Sequence, residues 1–292
     1  MKIAVAKYPI GQPSSFDAFA YKITSLLEDA ASMGASVAVL PEYLSLELAA
    51  TFDATVSSDL PASFAATQTY LPAWHALFSS LSRRLQMTIA AGTFLVACDG
   101  AYRNRAFVYS PDGSMLWQDK LKLTGFEKNL HIIEGGTSLG VFSLGSVTAG
   151  VSVCYDSEFP LPVRAQQEAG ARLLLVPSCT DTDAGATRVR VGCLARALEN
   201  RIFVAQSVTA GLAPWSPALD INTGEATIYA PMDVGLPADG IVAQTSGDAV
   251  WAIADLDFDA LEASRASAQV ANDLDWPGQL VSVEKIRPMR DD

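Results

Sequence analysis

The chain has 292 residues, half of them hydrophobic, and a formal net charge of −12. A chain of that length can bury roughly three quarters of its unfolded surface in one or two domains, so it needs no disulfide or metal to hold a core. The acidic balance, with no Lys/Arg run, excludes a nucleic-acid or anionic-membrane surface, and no apolar run approaches the ~20 residues of a membrane span.

Lys2–Lys7 reads as a first strand, because its apolar stretch lies between two lysines and is too short for a signal peptide. Ser14 or Ser15 caps a helix whose stripe is Phe16, Phe19, Ile23, Leu26, Leu27, Ala30 and Ala31, and Gly34 ends it. Ser36–Leu40 is a short buried strand closing on Pro41-Glu42-Tyr43. Residues 45–71 show no sustained period and read as a long functional loop with room for one short helix. Pro72 opens a helix to about Leu85. Strands follow at Thr88–Leu95, Arg105–Tyr109 and Met115–Lys120, the last two joined by the turn Pro111-Asp112-Gly113. Lys122–Thr137 reads as irregular chain carrying Glu127 and Gly135-Gly136.

The order then returns. Val147–Cys154 is an uncharged, β-branched run, as expected of a strand buried on both faces. Pro160–Ala169 is a helix, Leu173–Val176 a strand, Thr187–Asn200 a helix and Ile202–Val208 a strand, with strand-like pieces at Ala226–Ala230 and Val250–Leu256. The second strand of each half ends alike, at Leu40-Pro41-Glu42 and Val176-Pro177-Ser178. Two halves of this kind each place helices on one face of a mixed sheet, and the bare sheet faces must cover each other. The expected fold is an α/β, four-layer αββα sandwich forming a single domain over residues 1–292. Residues 267–292, without a clear helix and ending in charge, are a candidate interaction arm.

Reactive groups in open α/β sheets sit at the C-terminal ends of strands, where Cys154 falls. The bland alternative is a buried structural thiol. The four cysteines (Cys98, Cys154, Cys179, Cys193) show no CxxC spacing and are too sparse for a disulfide framework, which points to a reducing cytoplasm. A cysteine nucleophile needs a base. His75 sits in a helical pattern and His131 in a loop, neither at a strand end, and without an HExxH motif no metal site is expected. Glu42 follows a buried strand at the same rim as Cys154, and Lys120 ends another. Each alone reads as a solvated charge; together, three unlike groups can converge at one mouth. Cys179 ends the neighbouring strand. Tyr43, Ser178, Thr180 and Asp181 border strand ends as candidate pocket residues. Arg188, Arg190, Arg196 and Arg201 flank one helix, most of them to pair with carboxylates such as Glu199 and one of them free to hold a substrate carboxylate; Arg188 is the candidate pocket residue among them.

Pro41-Glu42-Tyr43, Lys120-Leu121-Lys122-Leu123 and Gly150-Val151-Ser152-Val153-Cys154-Tyr155-Asp156 resemble, in order and approximate spacing, the three signatures of the nitrilase superfamily of carbon–nitrogen hydrolases. The resemblance covers nearly the whole chain. It implies the αββα sandwich and a Glu42/Lys120/Cys154 triad, with a second glutamate matched by Glu127 and, less closely, by Glu134. It further implies an oxyanion held by Lys120 and the Tyr155 backbone N–H, a small-molecule amide substrate, no cofactor, and a homodimer or higher homo-oligomer. The chain departs from the family pattern at Lys122, where many members carry His, and at Leu161, where many carry Glu. Cys154–Pro160 and Val176–Thr182 look most like an amidase-like branch, giving acid plus ammonia or amine through a Cys154 thioester. A nitrilase is the alternative within the superfamily, and a catalytically idle binding protein on the same fold is the alternative outside it.

Overall fold

The computed structural model describes residues 1–283. Strand β1 (Lys2–Pro9) shows why two sheets must stack. Ile3 and Val5 point to one face, Ala4, Ala6 and Tyr8 to the other, and all five are fully buried. Ala4, Ala6 and Tyr8 pack with Phe19, Ile23 and Leu27 of helix α1 (Phe16–Ser32), whose N-terminus is capped by the Ser15 side chain. Ile3 and Val5 instead join one cluster with Val151, Leu173 and Leu175 from the other half of the chain. Period-2 alternation thus sends one face to a helix and the other to a facing sheet.

The first half continues through β2 (Val37–Leu40), helices α2 (Ala54–Ser57), α3 (Leu60–Thr67) and α4 (Leu71–Leu85), and strands β3 (Thr88–Cys98), β4 (Ala101–Tyr109) and β5 (Met115–Asp119). Helix α5 (Gly125–Leu130) precedes the second half: β6 (Val141–Leu144), β7 (Val147–Val151), α6 (Pro160–Glu168), β8 (Leu173–Ser178), α7 (Asp183–Asn200) and β9 (Phe203–Leu212). Short strands β10 (Ile221–Asn222), β11 (Thr227–Tyr229), β12 (Ile241–Gln244) and β13 (Trp251–Asp255) and helix α8 (Phe258–Ala263) follow.

The spine of the strand order is β5-β4-β3-β2-β1-β9-β8-β7-β6. β1 joins the halves: residues from Lys2 to Ala6 pair antiparallel with β13, whereas Lys7–Pro9 pair parallel with β9. One hydrogen-bonded array therefore curls so that β2 packs across the interior on β8 and β9. α1 and α4 cover the first sheet, and α6 and α7 cover the second through Val163, Val189, Cys193 and Ala197. The four-layer αββα sandwich is the architecture.

Several boundaries differ from the sequence reading. Residues 45–71 form a chain of short helical turns: residues 45–49 are buried on every side, and the helices that follow, Ala54–Ser57 and Leu60–Thr67, are too short to show a period. The 122–137 segment contains α5, which its length alone hides. The strand expected to reach Cys154 stops at Val151. The arm expected from residue 267 folds back at first: Asp273 is buried in an ion pair with Arg265 at 2.6 Å, and Arg164 lies over the Trp276 ring at 5.1 Å. Residues 284–292 of that arm lie outside the described residues.

Candidate active site

Glu42 is placed by a deformation in its neighbour strand. β3 pairs with β2 in parallel up to Ala91, then slips register against β4 between Ala90 and Thr93. Gly92 in that bulge has φ +68°, and a Cβ there would drive into the Pro41 carbonyl oxygen. The slip lets the Thr93 N–H donate to the Pro41 oxygen at 3.3 Å and the Thr93 hydroxyl accept the Tyr43 N–H at 2.8 Å. Tyr43 itself is left-handed, φ +59°. We expect Gly92→Ala to destabilise the protein by about 2–3 kcal/mol, the combined scale of an overpacked contact and a left-handed Ala. It should also lower turnover by moving Glu42, as denaturant melts and steady-state rates on one sample will show.

Cys154 opens a tight turn, Cys154–Glu158, and is itself left-handed at φ +47°. Non-glycine residues rarely adopt that region, and a strained residue at a strand-to-helix corner presents its side chain to the cleft. The turn is held from below. The Ser157 hydroxyl donates to the Cys154 carbonyl at 2.7 Å, Arg196 donates to the Ser157 carbonyl at 3.1 Å, and Gly192 lets α7 approach that same carbonyl closely. Asp156 accepts the Leu121 and Lys122 N–H groups at 2.9 and 2.7 Å, tying the Cys154 turn to the chain just after Lys120. Burial pushes the Asp156 carboxyl up to about 6. Among the described residues the Tyr155 N–H meets no protein acceptor, as expected in the first turn of a helix.

Lys120 completes the meeting point. Its N–H donates to the Asn104 carbonyl at 2.9 Å, continuing the strand ladder one residue past β5. Its ammonium lies 2.7 Å from Glu42 Oε1 and 2.8 Å from Glu127 Oε2, and all three side chains are at most 1% exposed. Glu127 is delivered by a capping box on α5, where its carboxylate accepts the Thr124 N–H at 2.9 Å and the Thr124 hydroxyl at 3.1 Å. It also accepts the Tyr43 hydroxyl at 2.7 Å and the Asn104 amide at 3.1 Å.

The two carboxylates are unequal. Glu127 takes five donors: Lys120, Tyr43, Asn104 and two from Thr124. Glu42 takes Lys120, Asn104 and a 3.2 Å bond from the Cys179 N–H, the last alone on Oε2. Burial opposes both charges. At Glu127 the lysine and the donors outweigh it and hold the carboxyl below its usual range; at Glu42 burial wins, aided by repulsion from Glu127, and the carboxyl is raised. Burial also disfavours the Lys120 charge, yet the two carboxylates overcome it and raise the lysine. Burial and the Glu42 charge push the Cys154 thiol well up, against the pull of Lys120. Of the two carboxyls, Glu42 is therefore the readier to take a proton.

A cleft of about 200 Å³ opens over this group, with Glu42, Lys120, Cys154, Tyr155, Tyr43, Cys179, Thr180, Asp181 and Arg188 of the expected residues on its walls. Ser178 is not among them: it pairs with Val208 in the sheet, fully buried, and its hydroxyl faces the Val176 carbonyl at 3.4 Å. Glu127 stands behind Lys120, whereas Glu134 is an exposed partner of Arg103 at 2.6 Å. Burial raises the Cys179 thiol to about 12, and its sulfur lies 3.6 Å from Asn222. His75 is taken by the Tyr109 hydroxyl at 2.7 Å, and Cys193 is buried on the sheet-facing side of α7. Arg196 and Arg201 pair with Glu199 and Asp233, while Arg188, at the mouth, lies 3.6 Å from Glu158.

The sequence reading missed Asn104, Asp156 and Gly92, and the mouth residues Phe126, Pro217, Ala218 and Asp220. Asn104 had a signal. It heads the inward row Asn104, Ala106, Val108 of β4, where a polar residue must have a buried partner. The loop residues 217–220 had none.

A family model described as carbon-nitrogen hydrolase matches residues 2–260. The chain belongs to the carbon–nitrogen hydrolase family. This carbon–nitrogen hydrolase is 29% identical over 271 residues to probable hydrolase YhcX of Bacillus subtilis, an alignment covering 92% of the chain and 52% of YhcX. It thus spans about half the length of that relative. It is 24% identical over 219 residues to omega-amidase NIT2-B of Xenopus laevis, covering 72% of the chain and 74% of the relative. The crystal structure of Saccharomyces cerevisiae Nit3, a member of branch 10 of the nitrilase superfamily, superposes with a TM-score of 0.72 at 19% identity, covering 92% of this chain and 94% of that one, a likeness of fold. No helix among the described residues is long and apolar enough to cross a membrane.

Proposed function

We propose that this carbon–nitrogen hydrolase is an amidase that cleaves a small amide to acid and ammonia through a thioester on Cys154. The observation that carries the reading is one buried ammonium bridging two carboxylates of opposite proton affinity beneath a cleft thiol. Glu42 Oε2, the less occupied oxygen, takes the Cys154 proton as sulfur attacks the amide carbon. The carbonyl electrons move onto oxygen, where the Lys120 ammonium and the Tyr155 N–H meet the charge; each such donor is worth about 3–4 kcal/mol in comparable sites. Glu42 returns its proton to nitrogen, the C–N bond breaks, and ammonia leaves the thioester. Water then gives one proton to Glu42 and its oxygen to the acyl carbon, and the thiol reforms with that proton. Lys120 keeps its charge throughout because Glu127 stays ionised beside it even while Glu42 carries the proton, and Glu127 also keeps Lys120 in place. A cleft of about 200 Å³ suits a substrate of few heavy atoms. Tyr43, Cys179, Thr180, Asp181 and Arg188 are the wall residues offered to its remote end, Arg188 to a carboxylate.

A screen of small primary amides for ammonia release, with and without hydroxylamine, tests this. A thioester gives hydroxamate at the expense of acid, with ammonia release maintained. Ammonia release without any hydroxamate overturns the covalent route. Faster acid production from nitriles than from the matching amides favours the nitrilase alternative.

A further inference from the structure

We propose that Asn104 is the positioning residue of the site: its one amide nitrogen fixes both carboxylates around Lys120 and turns the free edge of Glu42 toward Cys154. The proposal rests on the reading of Glu42 as the base. Nδ2 has two hydrogens, and both are used, at 2.8 Å to Glu42 Oε1 and 3.1 Å to Glu127 Oε1. The same residue's backbone carbonyl accepts the Lys120 N–H at 2.9 Å, so one strand position sets the register of all three charged groups. Asn104 is 1% exposed, and its Oδ1 is buried with no hydrogen-bond partner among the described residues. Nothing rewards that oxygen, so the side chain is oriented by the carboxylates alone; the flipped amide would set Oδ1 against two anions.

The consequence for Glu42 follows from its oxygens. Asn104 and Lys120 both load Oε1, leaving on Oε2 only the long bond from the Cys179 N–H. The Cys179 backbone that donates to Oε2 also offers its carbonyl to the Cys154 sulfur at 3.6 Å, so this oxygen and the thiol share one neighbour, and the two side chains lie within reach of each other. Without Asn104, two carboxylates sharing one ammonium lose the neutral donor between them and turn apart. The charged or titratable groups facing Glu42 are Lys120 at the end of β5, Glu127 on α5, Cys154 and Asp156 in the turn after β7, Cys179 after β8, and Tyr43 beside it. None of them supplies a replacement neutral donor to Oε1. Removing a donor from a carboxylate makes it harder to ionise, so deprotonation of the Glu42–Cys154 pair moves to higher pH.

The test needs no substrate. Alkylation of Cys154 by iodoacetamide is followed across pH by peptide mass spectrometry in wild type, Asn104→Leu and Asn104→Asp. We expect Asn104→Leu to slow Cys154 alkylation at least tenfold at neutral pH and to move its midpoint up by about one unit. Asn104→Asp, nearly isosteric, should be slower still at neutral pH, because it adds a third anion. A packing role predicts the reverse order, with Asp the milder change. On a confirmed amide, kcat should fall at least thirtyfold in Asn104→Leu with KM within threefold. If Asn104→Leu does not fold, Asn104→Ser, which can offer one hydrogen bond, should show a smaller shift in the same direction. A midpoint that stays put in a folded variant, or Asp milder than Leu, overturns the proposal. Absence of turnover on every amide would sink the amidase reading and leave the alkylation result standing.

Discussion

Cys154→Ala should lower amide turnover at least about a thousandfold, because it removes the proposed nucleophile, which no neighbouring group replaces. The other thiol on the cleft, Cys179, is pushed up to about 12 by burial, and its sulfur lies against Asn222. Stability should barely change, because Ala loses only a sulfur from a site that already opens to the cleft. Ala also keeps the left-handed backbone at φ +47° that Cys154 adopts. That strain gives the prediction a second part. Cys154→Gly is equally inactive, yet it should be more stable than Cys154→Ala by about 1 kcal/mol, the strain released less the entropy of an added glycine. Steady-state rates and denaturant melts on the three proteins measure both. Residual turnover above a hundredth of wild type in Cys154→Ala would move the nucleophile elsewhere. A Gly variant no more stable than Ala would mean that the corner is not strained.

What was legible in the sequence follows from which forces act locally. Uncharged runs such as Ile3–Ala6 and Leu173–Val176 can only be central strands, and two helix–strand sets in order leave two sheet faces to cover. Strand ends then locate Glu42, Lys120 and Cys154. The layout of the 45–71 segment was hidden because its first turn is buried on every side and its next helices are only one or two turns long, so neither shows the period that reveals a helix. The curl through β1 was hidden because one strand pairs with β13 along its first part and with β9 along its last. Such a change of partner leaves no mark on side-chain type. Within the site, the residues that line the cleft sit at rims where chain turns and polar residues cluster. Those that hold the rim residues still are scattered. Gly92 acts through an absent Cβ, Asp156 through backbone amides of a distant strand, and Ser178 was expected at the cleft although its side chain faces the sheet interior.

Lys120→Met should be the most damaging single change to stability. Methionine fills most of the lysine's volume, so the effect is electrostatic. In the wild type one ammonium, at most 1% exposed, serves Glu42 at 2.7 Å and Glu127 at 2.8 Å. Removing it leaves two buried carboxylates that share only the Asn104 amide, and breaking a buried pair in this way costs about 3–5 kcal/mol. The pH dependence identifies the cause. In the wild type, Glu127 is held below its unfolded range, so it adds stability above that range and loses it as pH falls. Without Lys120 only neutral donors remain against burial and mutual repulsion, so both carboxyls should rise above their unfolded range. A raised carboxyl adds stability below its unfolded pKa, and that contribution is lost as pH rises through the folded value. The gap in Tm between wild type and Lys120→Met should therefore be widest near pH 8 and narrow toward pH 5, as calorimetry at the two pH values will show. A gap independent of pH would mean that lost packing, not uncompensated charge, accounts for the damage.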